Sequence, residues 1–84
     1  MKITRIDFAS SDARTFASVT RKIGSPTITA TILTAGKETE IPADAADRDS
    51  VFALAACVQS AIDGCRGTNS MIHDYFRLIE QLAD

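Results

Sequence analysis

From Thr27 to Thr34 the chain reads TITATILT, so Thr27, Thr29 and Thr31 fall on one side of an extended backbone and Ile28, Ala30 and Ile32 on the other. That period-two alternation marks a strand with one buried side. Two earlier stretches, KITRIDFA at 2–9 and RTFASVTRKI at 14–23, are rich in β-branched residues and also read as strands. Ser10–Asp12 would turn the first strand into the second, and Gly24–Pro26 the second into the third. Ala35–Lys37 would turn the third into a short fourth strand, ETEI, that Pro42 ends. Connections this short make successive strands antiparallel neighbours. Residues 14–23 admit a second reading. Phe16, Val19, Thr20 and Ile23 sit at i, i+3, i+4 and i+7, with Ser11 able to cap a helix and Gly24 to end it. Thr15, Val19 and Thr20 would lose rotamer freedom in a helix, which favours the strand. A helix here would give βαββαα instead.

The period changes after Pro42. In PADAADRDSVFALAACVQSAIDG, Val51, Leu54, Ala55, Val58, Ile62 and Cys65 form one apolar helical stripe. Asp44 is placed to cap its first turn, and Asp47 and Asp49 suit the positive end of the helix dipole. Gly64 and Gly67 break this helix. A second begins near Ser70, with Ile72, Tyr75, Phe76, Ile79, Leu82 and Ala83 on its stripe. A short loop makes the two helices an antiparallel pair.

Sheet and helices each carry one apolar face, and 84 residues leave no material for a third layer. A chain of this size buries only about 60–65 % of its unfolded surface, and burying one Leu, Ile, Val or Phe is worth about 1.5–3 kcal/mol. The helix pair must therefore cover one side of the sheet. The expected fold is a single α+β domain: an antiparallel meander of three to four strands over residues 1–42 and a C-terminal helix pair over 44–84 packed on one face. The threonine row then occupies the uncovered face.

Charge changes this picture more than composition does. The net charge is −2, yet residues 1–37 carry six basic groups against Asp7 and Asp12, whereas residues 38–84 carry three basic groups against nine acidic ones. The first half stands at +4 and the second at −6. The N-terminal MKITRIDF places charge where a signal peptide has its apolar centre, and no apolar run reaches the ~18 residues of a spanning helix. A cytosolic protein with no membrane association is expected. Cys57 and Cys65, eight residues apart on one helix, would stand ~12 Å from each other, beyond the ~7 Å a disulfide spans. Both are expected to be reduced and partly buried.

Candidate chemistry is sparse. His73 is the only histidine and falls at the border of its helical stripe. Cys57, Cys65 and His73 lack the close paired spacing of zinc ligands. A Cys–His nucleophile would need an orienting group as well. Asp44, Asp47 and Asp49 have the density of a calcium loop without its glycine turn or terminal glutamate. The chain is expected to be non-enzymatic, with no metal and no cofactor. GCRG, Gly64 to Gly67, resembles the GXXG loop of KH domains, which grips nucleic-acid phosphates. The resemblance covers about ten residues and would assign RNA binding to Gly64, Arg66, Gly67 and Thr68. Ser70 stands where a KH domain has an apolar residue, and a −6 balance repels a polyanion, so a glycine-capped turn explains the motif better.

A small acidic domain without catalytic groups acts through its surface. In size, charge and layout the chain resembles the small phage-encoded inhibitors of host defence, anti-CRISPR proteins among them. That resemblance of general build implies stoichiometric binding to a larger protein complex, at a site meant for nucleic acid. Glu38, Glu40, Asp44, Asp47 and Asp49 concentrate acid within twelve residues and are the expected contact surface, with Phe52 as its apolar anchor. Arg14, Arg21 and Lys22 would form the alternative basic surface. A homodimer held by the alanine-rich first helix is a third class.

Overall fold

The computed structural model describes residues 4–64 and 69–83. Four strands, β1 (Arg5–Ala9), β2 (Thr15–Thr20), β3 (Thr27–Thr34) and β4 (Lys37–Asp44), precede two helices, α1 (Arg48–Asp63) and α2 (Asn69–Glu80). The strands form one antiparallel sheet in the order β1-β2-β3-β4. Residues 15–20 are a strand, so the βαββαα layout is not adopted.

Each connection uses the chemistry of its residues. At the first turn the Ser10 hydroxyl accepts from the amides of Arg14 and Thr15, and the Asp12 carboxylate accepts from the Arg14 amide. Ala35 and Gly36 close the β3–β4 hairpin with φ of 52° and 74°. Two consecutive positive φ values give the turn a twist that matches the strands it joins. Between β2 and β3, the Arg21 guanidinium donates to the Ser25 carbonyl at 2.9 Å and to the Leu82 carbonyl at 2.7 Å, which ties the end of α2 to this turn.

The fourth strand corrects the expected boundary. It does not stop at Pro42 but runs on to Asp44, with Pro42 opposite Thr29 and Asp44 opposite Thr27. β4 is an edge strand, and proline is tolerated where its missing N–H would have faced away from the neighbour. Counting alternate pairs from the Thr34–Lys37 pair that flanks the hairpin, Pro42 occupies such a position. The cap moves accordingly. Asp44 ends the strand, its carboxylate accepting from the Ala46 amide at 2.9 Å, and Asp47 is the N-cap of α1, accepting from the Asp49 amide at 3.1 Å.

The core lies between the sheet and the helices. Ala17 and Val19 of β2, Ile28, Ala30 and Ile32 of β3, and Ala43 of β4 face Val51, Leu54, Ala55, Val58 and Ile62 of α1 and Phe76, Ile79 and Leu82 at α2. α1 crosses β2, β3 and β4. α2 runs antiparallel beside it: Arg48 near the start of α1 meets Glu80 near the end of α2, and Phe52 meets His73 and Phe76. Tyr75 stacks on Phe8 with ring centroids 4.9 Å apart, which sets α2 over β1. The Tyr75 hydroxyl donates to the Asp63 carboxylate at 2.8 Å. No helix among the described residues is long and apolar enough to cross a membrane.

Candidate functional site

The face of the sheet turned away from the helices is the site with the most to offer. The register aligns its residues in rows. Ala9, Phe16, Leu33 and Glu38 form one row; Asp7, Ser18, Thr31 and Glu40 the next; Arg5, Thr20, Thr29 and Pro42 a third. The middle of this face is small and hydroxylic, so it is flat. Its strand propensity comes from threonines rather than from larger apolar residues.

Two large side chains break the pattern. Phe16 is 46 % exposed and Leu33 44 % exposed; both are on inner strands, one row from the β3–β4 hairpin end of the sheet. They are direct cross-strand partners, so their exposed surfaces merge. Single exposed apolar residues are common on soluble proteins; here two lie side by side on a face that no helix covers. Glu38 stands opposite Leu33 on β4, and Glu40 follows one row away. Asp7, on the far side of the same face, is held below the usual carboxylate range by hydrogen bonds from Arg5 and Ser18. The result is an apolar pair beside acidic groups on one face.

The structure divides the acidic cluster expected from sequence. Glu38, Glu40 and Asp44 project on the open face of β4, because residues two apart in a strand share a side. Asp47 is committed to capping α1. Asp49 and Phe52 lie in the other layer, in a surface groove of about 300 Å³ between the helices with Arg48, His73, Phe76, Arg77 and Glu80. There Phe52 is half-buried, its ring 5.3 Å from that of Phe76 and 5.4 Å from that of His73, and it packs on the core. Phe52 therefore does not share a face with Glu38 and Glu40, whereas Phe16 and Leu33 do. Sequence reading missed both, since Phe16 belonged to the strand of disputed type and Leu33 followed an otherwise regular Thr/Ile alternation. The available signal was parity: Phe16 and Leu33 both fall on the side of their strands opposite Val19 and Ile32.

The remaining candidates fare differently. The basic residues do not form one surface, because Arg14 and Arg21 flank opposite ends of β2 and Arg21 is bonded to two carbonyls. His73 is exposed on α2. Cys57 is a free thiol and is exposed, not partly buried, because it falls outside the buried stripe of α1. Gly64 is the C-cap of α1 at φ 68° and ψ −163°, a backbone region that glycine adopts without a Cβ penalty. Cys65, Arg66, Gly67 and Thr68 lie outside the described residues. Among the described residues no group of three His, Cys, Asp or Glu side chains could hold a metal ion. Set against protein-family models, curated proteins and solved structures, the chain matches none.

Proposed function

We propose that this protein is a non-enzymatic protein-binding module whose open sheet face docks on a basic surface of a larger partner. The observation that carries the reading is the exposed Phe16–Leu33 pair next to Glu38 and Glu40 on a face that no helix covers. Magnitudes assign the roles. About half of each apolar side chain is left to bury, and full burial is worth about 1.5–3 kcal/mol each, so the pair contributes a modest anchor. The carboxylates add little net affinity but accelerate encounter and set orientation. A partner that lines a nucleic-acid groove with Lys and Arg offers the matching charge. In that form the module acts as a phage-type inhibitor, occupying a host complex such as a CRISPR effector where phosphates would otherwise bind.

The test is affinity capture from the native host followed by mass spectrometry, wild type beside Phe16→Ser/Leu33→Ser and Glu38→Lys/Glu40→Lys. The apolar double variant should lose the captured complex, and the charge-reversed one should bind more slowly and with weaker salt dependence. Capture that survives both changes but fails on Phe52→Ala would move the site to the helix groove and defeat the reading.

A further inference from the structure

The two edges of the sheet are not equivalent, and the difference points to self-association. β4 carries Pro42 and the like charges of Glu38 and Glu40, devices that keep an edge from pairing. β1 carries neither. The Arg21 amide donates to the Thr4 carbonyl and the Ser10 amide to the Thr15 carbonyl, so the even-numbered residues of this strand address β2. Alternate residues of an antiparallel ladder face the other way. The amides and carbonyls of Arg5, Asp7 and Ala9 are therefore on the free edge.

We propose that β1 pairs antiparallel with β1 of a second copy of this chain, about a two-fold axis at Ile6, to form one continuous eight-stranded sheet. Charge selects the register. With Ile6 opposite Ile6, Arg5 of each copy faces Asp7 of the other, and both pairs are of the kind that exchange backbone hydrogen bonds. Sliding by two residues in either direction sets Asp7 against Asp7 or Arg5 against Arg5, which is unfavourable. Within one chain Arg5 and Asp7 already form an exposed ion pair at 3.0 Å, so their charges lie together on the open face, ready to be shared.

The helix layer selects the same axis independently. A stable dimer needs about 800 Å² of buried surface per partner, more than the edge of a five-residue strand supplies. The side of α2 that continues past this edge holds Leu78, 43 % exposed. Phe76 and Glu80 mark the side of α2 that faces α1. Leu78 is two residues from each, about 200° around the helix at 100° per residue, so it points out over β1 and away from α1. Tyr75 stands over Phe8, and the Leu82 carbonyl is held by Arg21, the neighbour of Thr4 across the ladder. The stretch between Tyr75 and Leu82 thus spans the stretch between Phe8 and Thr4, and Leu78 sits level with Ile6. A two-fold axis at Ile6 brings Leu78 against Leu78 above and Ile6 against Ile6 below. This pairing does not depend on the open face being an interface.

Sedimentation equilibrium tests it. The chain should show twice its 9.0 kDa mass. Asp7→Arg, which replaces two attractions by two repulsions, should weaken the dimer about tenfold. Leu78→Asp should abolish it at the same concentration. Arg5→Asp/Asp7→Arg restores opposite charges across the axis and should restore the dimer. All three positions are exposed, and circular dichroism confirms that each variant is folded. A monomer throughout the accessible concentration range overturns the proposal. So does a dimer that withstands both Leu78→Asp and Asp7→Arg, or one that dissolves on Phe16→Ser instead.

Discussion

Gln59 offers the sharpest test of how this core is held. It is 4 % exposed on α1, whose other buried residues include Ala55, Val58 and Ile62, and its side-chain Nε2 has no hydrogen-bond partner among the described residues. A buried donor left unsatisfied costs about 1–3 kcal/mol. Leucine has nearly the same volume and an equal or better helix propensity, so Gln59→Leu removes that penalty without opening a cavity. The expected gain is about 1–2 kcal/mol. Urea unfolding followed by circular dichroism reads it directly: with a slope near 1 kcal/mol per molar for a domain this small, the midpoint should rise by about 1–2 M at unchanged slope. Gln59→Glu supplies the opposite control. An unpaired carboxylate here would have its pKa raised by burial, so the variant should be markedly destabilised at neutral pH and recover as acid neutralises the group. A Gln59→Leu protein no more stable than wild type would show that Nε2 is satisfied in solution, and the reasoning from an orphaned donor would fail.

Tyr75 is the only tyrosine and the chain has no tryptophan, so its ionisation can be followed by tyrosinate absorbance without interference. Burial, and then the hydrogen bond to the negatively charged Asp63, push its pKa from 10 up to about 12. Because the folded chain holds this proton more tightly than the unfolded one, the associated stability is complete below pH 10 and is lost as pH rises through 12. Asp63→Asn should bring the titration back toward 10, and an unchanged titration would contradict the assignment. Ala35 holds φ 52° with a side chain that disfavours it. Ala35→Asn, the residue this hairpin turn prefers before glycine, should add about 0.5–1 kcal/mol, or about 3–6 °C in Tm for a domain of this size; a Tm at or below that of wild type would speak against the turn geometry.

How far the sequence reaches can be judged element by element. The alternation of TITATILT, the stripes from Val51 to Ile62 and from Ile72 to Leu82, and the turn residues between them specified each element and its buried side. These signals are local: each depends only on how side chains project from one strand or one helix. The strand at 15–20 carried a helical pattern too, and pairing with β1 and β3 on either side resolved it. Chain length alone then dictated that both helices share one face, because so small a domain has a single core to fill.

Tertiary structure decided the rest, for one physical reason. Periodicity reports which residues share a side of an element, but not which elements lie adjacent or in what register. Phe16 and Leu33 are seventeen residues apart in the chain, and only the β2–β3 register joins them into a surface. Pro42 reads as a terminator until β4 is known to be an edge, and the cap passes from Asp44 to Asp47 as a consequence. Asp49 and Phe52, close to Glu38 and Glu40 in sequence, end in the opposite layer because the chain reverses between β4 and α1. Leu78 became meaningful only once α2 was found over the unguarded edge.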